Sequence, residues 1–352
     1  MTASIELRID VDVPGIAEYA QVAATVVLPP ADALSDPPII CFSKPAGSYS
    51  RAYFTCDLPG PGSGAQADWH ARRGWIFVAL DNVGTGESSR HPFDTLSLPA
   101  VCEINRRAEE EILLRLANGM LCPNLPPVIQ PVRIGLGHSL GGCLTIMQQA
   151  HHRCYDGVVV LGYGLFHNHP PTPPGLPPVV VPWFSRDIAA DRPGGILNLD
   201  EVEASQASGT DGGGLTALQW SSYFDDVSED VIATDISHYE YAADGIPPIG
   251  APTVPWAATG IAGKASRSVM TPGIVIPEAA AVTVPVLLAM GERDFIAEPG
   301  GEPRAFRSAP SVDLFVCPKM GHIHNFASTR QLLWQRLDKF GAWCAELVEA
   351  NR

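Results

Sequence analysis

The chain has 352 residues, 46% hydrophobic and 17% charged, which supplies a core and argues against disorder. Its 23 basic and 38 acidic residues leave a formal net charge of −15, a balance that repels nucleic acid and anionic membrane surfaces. The sequence opens with no basic-then-apolar leader, holds no apolar run of the roughly 18 residues that span a bilayer, and spaces its eight cysteines without a C-x-x-C pair, so a cytoplasmic protein with reduced cysteines is expected.

Apolar and polar residues alternate from Ile5 to Val11 and again around Tyr19 to Leu28, the pattern of two antiparallel strands with one solvated face. The period then changes. Short continuous apolar runs at Ile39–Phe42, Trp75–Leu80, Val132–Leu136, Val158–Leu161, Val284–Met290 and Val312–Val316 read as strands buried on both faces. Helical patterns fall between or after them at Gln66–Arg73, Cys102–Asn118, Leu140–His152, Glu302–Ser308 and Thr329–Glu349. Strands alternating with helices predict a mostly parallel sheet covered on both sides.

Chemistry concentrates at strand ends. After Val132–Leu136 comes Gly137-His138-Ser139-Leu140-Gly141, a G-x-S-x-G turn running straight into a helix. This is the pattern of a nucleophile elbow, in which a serine sits on strained backbone and its neighbours two residues away must be small. Such a serine needs a base and a group to orient that base. Asp294 closes Gly291-Glu292-Arg293-Asp294 just beyond a later strand, and His322 follows Gly321 beyond the next. His324, two residues on, is the alternative base.

The stretch from Leu165 to about Ala265 breaks the regularity. It carries seven prolines between residues 170 and 182, the run Asp211-Gly212-Gly213-Gly214, and aromatic residues that include Trp183, Trp220 and Tyr223. That much proline and glycine excludes long regular elements, and that many rings exclude a free polar tether. A cap over a pocket accounts for both, with Trp183, Trp220 and Tyr223 as candidate substrate contacts and the rings' own small core as the alternative fate.

With these residues in place, the chain resembles the α/β-hydrolase-fold enzymes. The likeness runs from the opening strand pair through the elbow to Asp294 and His322, and Asp81-Asn82-Val83-Gly84-Thr85-Gly86-Glu87-Ser88 resembles the family's D-x-x-G-x-G-x-S turn. The resemblance implies a core of residues 1–164 and 266–352 with a cap of residues 165–265, and a Ser139–His322–Asp294 triad. Where relatives carry His-Gly after the first parallel strand, this chain has Lys44-Pro45-Ala46-Gly47-Ser48-Tyr49. By position, the amides of Gly47 and Leu140 are the expected oxyanion donors, with Ser48 and Tyr49 as further candidate contacts.

The expected activity is hydrolysis of a carboxylic ester or lactone through an acyl-enzyme on Ser139. Arg186, Arg192 and Lys264 are the basic residues between Leu165 and Ala265, too few to hold a strongly anionic substrate, so an apolar small molecule is expected. C–C hydrolysis of a β-diketone is the enzymatic alternative, and a non-catalytic ligand-binding protein the other. His151, His152, His167 and His169 form no H-E-x-x-H pattern, so no metal or cofactor is implied. A small molecule is the expected partner, neither nucleic acid nor membrane is, and a homo-oligomer is left open.

Overall fold

In the computed structural model, residues 2–47, 49–123, 125–166, 171–175, 219–237, 254–296 and 298–351 are described. Their strands are β1 (Ala3–Val13), β2 (Ala17–Leu28), β3 (Ile39–Lys44), β4 (Ile76–Leu80), β5 (Val132–His138), β6 (Gly157–Leu161), β7 (Val286–Arg293) and β8 (Val312–Gly321). They form one sheet in the order β1-β2-β4-β3-β5-β6-β7-β8. The pairings β1·β2 and β2·β4 are antiparallel and all later ones are parallel. This is the mostly parallel sheet that the alternation of patterns predicts, and the α/β hydrolase fold that the resemblance implies.

The helices are α1 (Ala52–Thr55), α2 (Gln66–Ala71), α3 (Leu98–Ala117), α4 (Leu140–His152), α5 (Glu229–Ile236), α6 (Gly263–Ser268), α7 (Ile276–Ala281) and α8 (Arg330–Ala350). Alternate residues of each parallel strand feed two cores. Phe42, Val78, Val160 and Leu288 pack toward α3, α4 and α7; Cys41, Phe77, Leu136, Val159 and Leu287 pack toward α1, α2 and α8. All eight cysteines are free thiols. Among the described residues, no helix is long and apolar enough to cross a membrane.

Several bounds differ from the sequence reading, among them those at Leu98, Pro299–Ala305 and Gly321. Helix α3 begins at Leu98, because the Ser97 hydroxyl accepts the Ala100 N–H and caps a turn that the apolar pattern alone does not mark. The predicted helix Glu302–Ser308 is a 3-10 helix, Pro299–Ala305, with Pro303 inside it. Strand β8 continues past Val316 to Gly321, so His322 directly follows the sheet.

The parallel order reverses direction between β3 and β5, where the chain turns back to the other side of the sheet after β4. Loops after adjacent strands there diverge and leave a crevice at the strands' C-terminal ends. Ser139, Asp294 and His322 all leave strands at that edge.

Candidate active site

Ser139 occupies backbone that few non-glycine residues adopt, φ 52° and ψ −114°. Its N–H donates to Leu161 O at 2.8 Å, and Gly142 N–H donates to its carbonyl at 2.8 Å. The turn leaves no room for side chains beside it. A Cβ on Gly137 would lie 2.0 Å from Gly141 O, and one on Gly141 would lie 2.1 Å from Lys44 O. The glycines of the motif are therefore demanded by contact between β5, α4 and the end of β3.

Asp294 is buried and carries four donors. Its Oδ1 accepts from His322 Nδ1 at 2.6 Å and Phe295 N–H at 2.7 Å; its Oδ2 accepts from His324 Nε2 at 2.9 Å and Gly291 N–H at 3.0 Å. Burial pushes the carboxyl's pKa up, but His322 and His324 outweigh it and hold the group well below the usual carboxylate range. His322 is held as well. Its ring stacks on Phe295 with centroids 4.1 Å apart, its carbonyl accepts from His138 Nε2 at 2.8 Å, and its N–H donates to Ser221 O at 2.7 Å. Burial, with His324 and His322 close by, keeps His138 well below the ordinary histidine range, so His138 is a neutral brace under His322.

Ser139 and His322 share the wall of a cavity of about 710 Å³ with Gly47 and Leu140. A Cβ on Gly47 would touch Leu140 Cδ2 at 3.7 Å, so the loop after β3 and the first turn of α4 meet beside the serine. Leu140, as the first residue of α4, has an N–H with no helical carbonyl to take it. Ala233, Ile236, Ile261, Val269, Met270 and Phe295 give the cavity an apolar wall, and among the described residues no Asp, Glu, Lys or Arg lines it.

His324 does not line this cavity; it approaches Asp294 from the interior. Tyr49 and Tyr223 do line it, yet their hydroxyls both donate to Asp235 Oδ2, and Trp256 Nε1 donates to Asp235 Oδ1 at 2.6 Å. Trp220 is not in the wall: its ring lies on the Arg293 guanidinium, 4.1 Å from centroid to carbon, because that cation offers the ring a buried partner. Ser48 and Trp183 lie outside the described residues, as do His167 and His169. Among the described residues, no group of three or more histidine, cysteine or acidic side chains is placed to hold a metal ion.

Several contributors were given no role by the sequence reading. Gly162, after β6, has φ +55°, and a Cβ there would lie 3.0 Å from Asp294 Oδ2 and 3.1 Å from His322 Nδ1. Lys44, at the unusual loop start, points away from the cavity into the core, 2.6 Å from Glu109 and 2.7 Å from Tyr155 OH. Asp81 of the D-x-x-G-x-G-x-S turn is buried and accepts from Arg51, while Gly86 leaves space for its carboxylate. Only Asp81 carried a sequence signal, its spacing to Gly84 and Gly86.

Residues 46–333 match the alpha/beta hydrolase family. No curated protein sequence matches the chain. Among solved structures, it is similar to a thermophilic esterase from Thermogutta terrifontis at 14% identity, covering 96% of this chain and 99% of that one with a TM-score of 0.58. A proline iminopeptidase from Mycobacterium smegmatis is similar at 16% identity, 97% and 100% coverage and a TM-score of 0.57. An N-acyl homoserine lactone degrading enzyme is similar at 13% identity, 94% and 99% coverage and a TM-score of 0.56. Identities this low speak for shared fold.

Proposed function

This chain belongs to the alpha/beta hydrolase family and is an enzyme of the hydrolase class, and from that premise we propose that it is a serine hydrolase that cleaves a carboxylic ester or lactone of a largely apolar small molecule. The observation that carries this reading is the 2.6 Å pairing of His322 with Asp294 in a histidine that shares a cavity wall with the elbow serine. His322 Nε2 takes the proton of Ser139 Oγ as that oxygen adds to the substrate carbonyl. The Gly47 and Leu140 amides receive the resulting oxyanion, each worth about 10² to 10³ in rate. His322 then returns the proton to the leaving oxygen, and water, deprotonated by the same imidazole, releases the acyl group. The uncharged wall supports an apolar, uncharged substrate. Residues 165–265 are assigned as the cap, which is supported by Ala233, Ile236, Ser237 and Ile261 lining the cavity that Ser139 shares.

Treatment of the purified protein with a fluorophosphonate, read by intact mass and peptide mapping, tests the reading. One phosphonyl group on Ser139 is expected, with the labelling rate falling on the order of 10⁴-fold or more in Ser139→Ala and His322→Ala. Labelling elsewhere, or none on folded protein, overturns it. The reactive enzyme is then assayed on esters, lactones and β-diketones, where turnover of the first two is expected.

A further inference from the structure

Three imidazoles surround the Asp294 carboxylate. The His138 ring lies 4.9 Å from those of both His322 and His324. A carboxylate only accepts, so the nitrogen of His324 that meets Asp294 Oδ2 at 2.9 Å, Nε2, carries a proton. The other nitrogen, Nδ1, is buried and meets no hydrogen-bond partner among the described residues. A second proton there would leave a cationic donor buried and unanswered, whereas a bare lone pair costs far less. Geometry alone thus fixes the tautomer as Nε2–H with Nδ1 bare. His138 follows the same pattern, its Nε2 on the His322 carbonyl and its Nδ1 buried without a partner. Of the three rings, only His322 faces the cavity.

We propose that His324, which sequence reading offers as an alternative base, is instead a positioning residue for the reaction assigned above: its Nε2–H occupies the second oxygen of Asp294, holding Oδ1 on His322 and tempering the carboxylate's pull on the His322 proton. The inference rests on the serine hydrolase reading. Rotation of the carboxylate about its Cβ–Cγ bond would break the bonds to His324 and to the Gly291 amide, so the side-chain donor locks the acid in the plane the base requires. It also shares the negative charge. With one donor fewer, Asp294 would hold the imidazolium proton more tightly, and a larger fraction of His322 would be protonated and idle at a given pH. The titratable groups facing His322 are Asp294 from the end of β7, His324 from the 3-10 turn His324–Phe326, and His138 from β5.

The test compares two amides of different reach with a ring that cannot donate. His324→Gln carries an N–H to about the position of Nε2; in His324→Asn the amide is one bond too short; His324→Phe fills the volume without a donor. The rate of fluorophosphonate labelling at Ser139 is measured against pH, separated into the reagent's affinity and its bonding step, with Ser139→Ala and His322→Ala alongside. The Gln variant is expected within about 3-fold of the unaltered enzyme, while the Phe variant loses about 10- to 100-fold in the bonding step, the worth of one hydrogen bond to a charge. Affinity for the reagent stays the same, and the acid limb of the profile moves to higher pH. Should the Phe variant fail to fold by circular dichroism, the Gln and Asn pair carries the comparison with the same expectations. An unchanged rate and acid limb in Phe or Asn, or a Gln variant as impaired as Phe, overturns the role given to His324. Labelling that persists in His322→Ala is a different failure, for it removes the assigned base and this inference with it.

Discussion

Gly162 shows how a single missing side chain makes space for a reactive group. Its φ of +55° and the 3.0 and 3.1 Å approaches to Asp294 and His322 admit a methyl group only if those side chains give by a few tenths of an ångström. Gly162→Ala is expected to cost about 1–2 kcal/mol of stability through its backbone conformation, seen as a lower Tm, and to slow Ser139 labelling about 10-fold, in keeping with a small displacement of His322. Gly137 and Gly141 were legible in the sequence because the elbow motif specifies both positions, although what crowds Gly141 is Lys44 at the end of the distant β3. Gly162 was not, since Asp294 and His322 reach it only when β7 and β8 join the sheet. The same holds for His324. An extended loop would face His322 and His324 alike, but the turn with His324 N–H on His322 O at 3.1 Å puts the second ring on the interior side of the acid.

Helix α5 is eight residues long and is fastened by one carboxylate. Asp235 gathers Tyr49 from the loop after β3, Tyr223 from the preceding turn, and Trp256 from the segment that returns to the core. Replacing it with alanine strands buried donors, and Asp235→Ala is expected to destabilise by about 2–4 kcal/mol in thermal or denaturant unfolding. Because Ala233, Ile236 and Ser237 of this helix line the cavity, a rise in KM is expected to exceed the fall in kcat on a turned-over ester. The sequence reading left the polar ends of the aromatics unplaced: a tyrosine in a wall still has to place its hydroxyl, and here the partner is an acid that no motif announces. Strands and helices of the core, by contrast, were legible because their periodicity is a property of each segment alone. Segments held by a few long-range polar contacts have no such period to read.

Across the whole molecule, the mostly parallel sheet and the placing of Ser139, Asp294 and His322 at strand ends followed from alternation and loop motifs, while the strand order and the buried charges did not. Glu302 accepts the Leu165 N–H at 2.7 Å where the chain leaves the sheet, and burial raises its pKa to about 7. A carboxyl whose folded value is raised contributes stability that is full below its ordinary value near 4.5 and is lost as pH rises through about 7. Buried His70, lowered to about 3, acts oppositely, for its contribution is present above 6.5 and lost as pH falls. The difference between the enzyme and Glu302→Gln isolates the first effect: the variant is expected to gain up to about 3 kcal/mol relative to its parent between pH 5 and pH 8, measured as ΔTm at each pH. Equal differences at both pH values would exclude it. Residues 219–225, between β6 and β7, also hold the end of the sheet. Ser221 O and Ser222 O receive the N–H groups of His322 and Ile323 at 2.7 and 3.0 Å, and Arg293, beside Asp294, binds Asp225 at 2.7 Å and the Tyr223 carbonyl. For an engineer, this argues against trimming residues 219–225 to admit bulkier substrates: the same cut removes the carbonyls that hold His322 and Ile323, and redesign is better placed elsewhere on the cavity wall, at Ile261, Val269 and Met270.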